Sequence, residues 1–258
     1  MDMDSRPDGA QMVGRIGAIL RSVNRGMPAG ASTAAVTKEC GIPRPTVHRL
    51  LMSLSGQGFV DRDSGSGRWF LGPELYLMGA AAAARVDVAD LAGDTVRLIA
   101  RETGESAFFS VRRGDENVCI IREEGSFPLR SFVLYEGVRF PLGVASGGLA
   151  ILSFMPDAEV DAYLSRVDLV ERYGVAHSVE ALRDRIALTR QVGYATNPAL
   201  LVEGSWGMAA AVFNARNEPQ WALCVTGVES RFTPERRHRL GGLLLEQAHV
   251  LTGRIKER

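Results

Sequence analysis

The amino-acid sequence predicts an α+β fold, in which a small helical segment with a two-stranded ribbon precedes a larger domain built on a mainly antiparallel sheet. A Gly-Ile-Pro turn at residues 41–43, followed by apolar side chains at helical spacing, indicates a pair of short helices. From residue 106 onward, β-branched and aromatic runs flank turn residues and alternate with amphipathic segments, which is typical of strands covered by helices. The length of 258 residues is enough for two ordinary domains.

The helix pair is predicted from its turn and its apolar stripe. The first helix covers Thr33–Cys40 and ends at Gly41, which fits the left-handed residue that follows many helices. The second helix starts near Pro45, because the missing N–H of proline is not needed in a first turn. Its apolar side chains fall on one face: Val47, Leu50, Leu51 and Leu54. The opposite face presents Pro45, His48, Arg49 and Met52, flanked by Thr46 and Ser53.

A two-stranded ribbon is predicted directly after the helix pair. Gly58–Arg62 and Arg68–Leu71 are strand-like runs around Asp63–Gly67, whose Gly and Ser residues indicate a hairpin loop. A helix-turn-helix followed by such a ribbon is a winged helix, whose second helix enters the major groove of DNA. The alternative interpretation is an ordinary antiparallel helix pair within an α+β domain.

The charge distribution favours contact with nucleic acid. The formal net charge is zero, but residues 11–72 hold eight basic side chains and three acidic ones. A local basic surplus on this segment is what contacts to phosphate require. Arg44, at the start of the second helix, can pair bidentately with guanine. The predicted DNA-binding residues, each of which could instead be a solvated surface residue, are Ser32, Thr33, Lys38, Arg44, Pro45, Thr46, His48, Arg49 and Arg68.

Four segments are predicted along the chain: a disordered tail (1–10), the winged helix-turn-helix (11–72), a linker helix (73–88) and the larger domain (89–258). A helix over Val13–Val23 packs behind the helix pair. The linker helix is rich in alanine and has little apolar surface to bury alone. We therefore expect it to pair with a copy of itself or to rest on the larger domain, with a plain connecting helix as the alternative.

In the larger domain, a helix is predicted over residues 89–104, followed by a hairpin of Ser106–Arg112 and Val118–Arg122 and a third strand at Leu129–Leu134. Further strands are predicted at residues 194–196, 208–213 and 221–226. The remaining helices are predicted at Ser146–Phe154, Asp157–Leu164 and Ser178–Val192, with a last one that starts after Thr233 and runs through Ile255. Asp157 and Thr233 are predicted to be N-cap residues.

Composition argues against several classes of protein. No apolar run reaches the roughly 18 residues of a membrane span. The N-terminus is acidic and polar, without the regions of a signal peptide. Cys40, Cys119 and Cys224 are an odd set without metal-ligand spacing, which fits a reducing cytoplasm and argues against a disulfide framework or a zinc site. We therefore expect a cytoplasmic protein with no metal, no cofactor and no membrane partner.

The chain resembles the IclR family of bacterial transcription regulators from Val13 to Ile255. Its N-terminal part matches the family's winged helix through residues 41–51, 58–60 and 69–72. Its C-terminal part matches the family's GAF-like effector domain through residues 141–142, 145–148, 193–195, 208–210 and 225–227. The resemblance implies a homodimer or tetramer that binds double-stranded operator DNA. It also implies that a small organic effector, often a carboxylate, modulates this binding, and that Arg49 supports contact with the DNA backbone.

An effector site is expected in the C-terminal domain. Ser146-Gly147-Gly148 opens a helix, and free N–H groups with the positive end of the helix dipole attract an anion. Cys224 and Thr226 are two residues apart on one strand and point to one face. The family pattern implies that Ser146, Gly147, Asn197, Gly207, Cys224 and Thr226 border the ligand, with apolar walls at Leu129, Phe132 and Phe140. The alternative is that Cys224 is a core thiol and Gly147 a packing glycine.

Three positions depart from the family pattern. Gly143, Leu149 and the pair Asn197-Pro198 stand where the family often has histidine, lysine and an acidic pair. Neutral groups thus replace charged or polar ones. This leads to the hypothesis that the effector is less polar than a small keto acid, such as a larger or aromatic compound, or that the domain responds weakly.

Two other functions are consistent with parts of the sequence. An enzyme could in principle use Ser146, Cys119, His177 and Asp184, but Ser146 lacks the Gly-x-Ser-x-Gly elbow and no partner for His177 is visible. A DNA-binding protein without a ligand would not need some 170 residues behind the winged helix. A ligand-regulated transcription factor is the interpretation that accounts for both the winged helix and the larger domain.

Overall fold

The computed structural model describes residues 8–83, 88–129 and 133–257. The chain divides into two compact units, Met1–Val86 and Asp87–Arg258, which we call the N-terminal and C-terminal units. None of the helices within the described ranges is both long and apolar enough to cross a membrane. In the same ranges, no group of His, Cys, Asp and Glu side chains is arranged to hold a metal ion.

The N-terminal unit is a three-helix bundle with a hairpin. Its elements are α1 (Asp8–Arg25), α2 (Thr33–Cys40), α3 (Arg44–Gly56), β1 (Val60–Arg62), β2 (Trp69–Leu71) and α4 (Pro73–Ala83). Because α1 begins at Asp8, residues 8–10 are helical, although the sequence predicted a disordered tail through residue 10. The predicted linker helix ended near residue 88, and residues 84–87 lie outside the described ranges.

Local signals in the sequence explain the helix pair. The Ser32 hydroxyl accepts the N–H of Ala35 at 3.1 Å and caps α2, and Gly41 ends the helix in the left-handed conformation with a φ of 65°. Pro45 lies in the first turn of α3. The predicted stripe of Val47, Leu50, Leu51 and Leu54 is buried. The predicted winged helix-turn-helix is therefore confirmed.

The C-terminal unit is built on a six-stranded sheet with neighbouring strands antiparallel throughout. The strands are β3 (Ser106–Arg113), β4 (Glu116–Glu123), β5 (Arg139–Pro141), β6 (Ala195–Pro198), β7 (Ser205–Phe213) and β8 (Pro219–Val228). Their order across the sheet is β5-β4-β3-β8-β7-β6. The predicted α+β class with a mainly antiparallel sheet is confirmed.

Helices cover both faces of this sheet. They are α5 (Val88–Thr103), α6 (Ser146–Ser153), α7 (Asp157–Leu164), α8 (Val170–Tyr173), α9 (Val179–Val192) and α10 (Pro234–Lys256). Phe108, Ala209 and Cys224 pack with α6, α7 and α9 in one core. Phe109 and Val225, which point to the other side of the same strands, pack with α5 and α10 in a second core.

Two local predictions in this unit differ from the structure. Asp157 is the first residue of α7 and not its N-cap, because Pro156 precedes it and the Asp157 carboxylate pairs with Arg190 at 2.8 Å. Of the predicted third strand, residues 130–132 lie outside the described ranges, and Leu129, Val133 and Leu134 are not in a strand. The strand beside β4 is instead the short β5.

Candidate DNA-binding surface and effector cavity

The outer face of α3 is the candidate DNA-binding surface. Arg44, Pro45, His48 and Arg49 are exposed there, and Thr46 is half-buried. Because their helix is held by a buried apolar stripe, these side chains are free to meet another molecule. Arg44 opens the helix, whose first turn carries unpaired N–H groups that suit phosphate.

The other predicted DNA-binding residues have partners within the fold or lie beside α3. The Ser32 side chain is used in capping α2, and the Thr33 hydroxyl accepts the indole N–H of Trp69 at 2.9 Å. The Arg68 guanidinium donates to the Gly30 carbonyl at 2.9 Å and so ties the ribbon to the loop before α2. Lys38 is exposed in the last turn of α2. Their contacts with DNA stay predictions.

Arg62 is a basic residue of the ribbon that the sequence did not single out. It is exposed on β1, its guanidinium lies 5.7 Å from the centroid of the Trp69 ring, and it donates to the Gly67 carbonyl at 3.4 Å. The hairpin loop beside it is closed by Ser66, whose N–H and hydroxyl both donate to Asp63. Arg62 therefore presents a positive charge at an ordered ribbon tip.

Four of the predicted effector residues line one small cavity between the start of α6 and the ends of β6, β7 and β8. They are Ser146, Asn197, Gly207 and Thr226. The sheet register aligns three of them, since Gly207 lies opposite Asn197 on one side and Thr226 on the other. The cavity has a volume of only about 20 Å³, which is room for about one water molecule.

The polar side chains of this cavity differ in whether they have hydrogen-bond partners. The Asn197 amide donates to the Val144 carbonyl at 2.7 Å and accepts the N–H of Leu200 at 3.1 Å. The Thr226 hydroxyl is buried, and the described residues offer it no hydrogen-bond partner. A buried polar atom without a partner costs free energy, so Thr226 favours a ligand or water that can hydrogen-bond to it.

Other predicted effector residues do not line the cavity. A Cβ on Gly147 would lie 2.8 Å from the Cys224 sulfur, so both residues serve the close packing of α6 on β8. Burial raises the pKa of the Cys224 thiol well above its usual value. Phe140 is half-buried on β5, and Leu129 is 62% exposed. Phe132 lies outside the described residues.

Six further residues line this cavity and were not predicted from the sequence. They are Val133, Leu134, Ala145, Leu201, Ser205 and Trp206. Most of them lie in loops or at strand ends, where no periodicity marks a side chain as facing a cavity. Ala145 and Trp206 directly precede the predicted Ser146 and Gly207 in the sequence. This adjacency was the signal that could have indicated them.

His177 and Cys119, two of the residues considered for an enzyme, are buried within the fold. The ring nitrogens of His177 lie 2.9 Å from the Tyr173 carbonyl and 3.3 Å from the Val144 carbonyl. Burial lowers the pKa of His177, and the nearby Arg185 lowers it further. Burial also raises the pKa of Cys119 to about 12, which leaves an inert thiol.

The comparisons with known proteins cover almost the whole chain. Residues 80–252 match the family described as bacterial transcriptional regulator IclR C-terminal, and residues 13–64 match the IclR helix-turn-helix domain. The HTH-type transcriptional regulator KipR of Bacillus subtilis is 30% identical over 197 residues, which is 76% of this chain and 78% of KipR.

Solved structures share the fold. An IclR transcriptional regulator from Alicyclobacillus acidocaldarius superposes with a TM-score of 0.79 at 24% identity, covering 94% of this chain and 98% of that one. An IclR homolog from Microbacterium hydrocarbonoxydans, complexed with 4-hydroxybenzoate, gives a TM-score of 0.76 at 19% identity over 96% and 100% of the two chains. The chain therefore belongs to the IclR family of bacterial transcriptional regulators, and it regulates transcription rather than catalysing a reaction.

Proposed function

We propose that the protein binds operator DNA through the exposed face of α3 and that a small organic effector in the C-terminal unit modulates this binding. Arg44 and Arg49, exposed on the face of α3 opposite its buried stripe, are the observation that carries the proposal. Arg44, in the first turn, pairs with a base edge in the major groove. Arg49 lies more than a turn further along and contacts the DNA backbone. Such a regulator works in the cytoplasm, where bacterial DNA is found.

Replacing Arg44 with alanine is expected to weaken binding to the operator by about 1–3 kcal/mol, because one bidentate base contact is lost. Arg49→Ala should weaken operator and random DNA alike, since a phosphate contact is independent of sequence. Fluorescence anisotropy with the DNA upstream of the protein's own gene and a scrambled duplex measures both.

The matched control is Arg254→Ala, which removes an exposed arginine from α10 in the other unit. It should bind both duplexes as the wild type does. Wild-type protein that fails to distinguish the upstream DNA from the scrambled duplex at modest salt would refute operator recognition by this surface.

The effector is placed by this proposal in the cavity of Ser146, Asn197, Gly207 and Thr226. The buried Thr226 hydroxyl and the N–H groups at the start of α6 suit a carboxylate or hydroxyl group. Ligand sites usually have several hundred Å³, so this cavity has to widen around its ligand. Of the positions that depart from the family pattern, Asn197 lines this cavity, whereas Gly143 and Leu149 do not, and Leu149 lines a separate cavity. The apolar lining by Leu134, Leu201 and Trp206 favours an aromatic or larger acid over a small keto acid. The 4-hydroxybenzoate of the Microbacterium homolog is a compound of this kind.

Thermal-shift and calorimetric titrations with 4-hydroxybenzoate, pyruvate and glyoxylate test the effector class. We expect the aromatic acid to stabilise the protein most, and Thr226→Val to weaken its binding about tenfold through the loss of one hydrogen bond. Ser110→Ala removes a buried hydroxyl outside the cavity lining and should leave the affinity unchanged. Tight binding of pyruvate or glyoxylate would contradict a less polar effector.

Signal transmission is proposed to run through α4 of a dimer, or of a tetramer made of two dimers. Tyr76, Leu77 and Met78 of α4 are 77%, 56% and 52% exposed, which is unusual for large apolar side chains and suits pairing with a second copy. A change in this pairing alters the spacing of the two α3 helices on the operator. Equal operator affinity with and without saturating effector would instead favour ligand-independent DNA binding.

A further inference from the structure

A second and larger cavity lies at the β6 edge of the C-terminal sheet. It has a volume of about 350 Å³ and lies between α9, the start of β6 and the first turns of α10. It shares no lining residue with the cavity of Ser146 and Thr226. This volume falls in the range of sites that hold small metabolites.

Two arginines line this cavity, and each has buried guanidinium nitrogen atoms or a buried Nε without an acceptor among the described residues. Nη2 of Arg185 donates to the Ala176 carbonyl at 3.1 Å, but Nε and Nη1 are buried without an acceptor among the described residues. Nε of Arg237 is likewise buried and unpaired, and its guanidinium lies 4.8 Å from the centroid of the Trp206 ring. A buried guanidinium with free N–H groups is unfavourable unless an anion completes it.

Two neighbouring arginines on α9 have carboxylate partners, in contrast to Arg185. Arg183 pairs with Asp161 at 2.9 Å and Arg190 with Asp157 at 2.8 Å, although both arginines are exposed. Arg185 is the more buried residue, and burial lowers its pKa. The described part of the chain thus supplies carboxylates to the exposed arginines of this helix and none to Arg185, so a bound anion would supply the acceptor for its Nε and Nη1.

The other lining residues indicate the chemical character of the uncharged part of the ligand. Leu188 and Val192 of α9 are apolar yet 52% and 38% exposed at the cavity, and Tyr194 adds an aromatic ring. Thr196 offers a hydroxyl, and the N-terminal end of α10 adds the positive end of a 23-residue helix dipole. An anionic group on an apolar body fits such a wall.

We propose that this cavity binds a small organic anion, a carboxylate or phosphate monoester whose charged group pairs with Arg185 and Arg237 and whose apolar body lies on Leu188 and Val192. The protein then has a second ligand site, separate from the proposed effector cavity. Arg183 and Arg239, exposed on the same two helices, provide a matched pair of control positions.

Calorimetric titration of the full-length protein with benzoate, phenyl phosphate and neutral benzyl alcohol tests the site. Both anions should bind and benzyl alcohol should not, and the tighter anion identifies the ligand class. In R185Q/R237Q the affinity should fall at least about tenfold, because two charge-assisted contacts are lost. Because the proposed effector cavity also takes aromatic acids, two binding steps are expected. R183Q/R239Q should keep both steps, and Thr226→Val should weaken only the step that R185Q/R237Q leaves unchanged.

A further variant covers the case in which R185Q/R237Q does not fold. Leu188→Glu changes an exposed position and places a carboxylate at the cavity, where it competes with the ligand for both arginines. It should abolish the binding step that R185Q/R237Q removes, while the melting temperature stays within a few degrees of wild type. Absence of anion binding by the wild type up to millimolar concentration, or equal binding by R185Q/R237Q, would overturn the proposal. Loss of all anion binding in Thr226→Val, with R185Q/R237Q binding as the wild type does, would assign the ligand to the effector cavity alone and equally overturn it.

Discussion

Replacing Trp69 with alanine is expected to destabilise the N-terminal unit by about 3–5 kcal/mol, the usual cost of removing a buried aromatic ring. Trp69 is fully buried on β2, and its indole N–H donates to the Thr33 hydroxyl at 2.9 Å. Its main chain exchanges two hydrogen bonds with Ala31, at 2.9 and 2.8 Å. One side chain thus joins the ribbon to the start of the helix pair. Since the free energy of unfolding of a domain is only about 5–15 kcal/mol, we expect Trp69→Ala to lose DNA binding as well.

Trp69→Phe is the control, because it keeps an aromatic ring and removes mainly the hydrogen bond to Thr33. Trp69→Phe should lower the free energy of unfolding clearly less than Trp69→Ala does, and it should retain DNA binding. Hydrogen exchange read by mass spectrometry separates peptides of residues 8–83 from those of residues 88–257, and only the first set should lose protection in Trp69→Ala. Unchanged protection in that first set, together with wild-type DNA affinity, would contradict the role assigned to Trp69.

Replacing Glu105 with alanine is expected to destabilise the C-terminal unit by about 3–5 kcal/mol, because it leaves two partly buried arginines without their anion. Glu105 is 2% exposed and accepts from Arg231 at 2.5 Å and from Arg236 at 2.8 Å. The Arg231 guanidinium also lies 3.9 Å from the centroid of the Phe127 ring. The carboxylate therefore fastens the start of α10 to the loop between α5 and β3.

Glu116→Ala provides the comparison for Glu105. Glu116 pairs with Arg139 at 3.0 Å, but both side chains are exposed, so its loss should cost less than about 1 kcal/mol. Urea unfolding followed by circular dichroism measures both variants. A similar small change for the two would show that Glu105 acts as a surface ion pair.

The parts of the fold that the sequence predicted well are those with local causes. The turn at Gly41, the cap at Ser32 and the stripe through Leu54 lie within one stretch of chain, and each signal concerns neighbours in sequence. Thr233 likewise marks the start of α10, as its hydroxyl accepts the N–H of Arg236. Such signals remain valid whatever the rest of the chain does.

The parts that the sequence did not predict depend on contacts between distant residues. β5 has three residues and exists through its pairing with β4, where Pro141 lies opposite Glu116. Leu201 and Trp206 reach the effector cavity only because β6 and β7 are paired. Arg185 and Arg237 line one cavity although they belong to separate helices. Periodicity and spacing describe one element at a time, so they do not predict contacts between distant elements.

The small volume of the cavity beside Thr226 has a consequence for the timing of a response. A ligand that enters a space of about 20 Å³ first has to wait until the walls separate, so association should be slower than simple diffusional docking. The closed form also lowers the apparent affinity in proportion to how rarely the open form is populated. If the proposed effector binds here, half-maximal response would therefore need a concentration above the dissociation constant of the open form, which sets the threshold at which transcription changes.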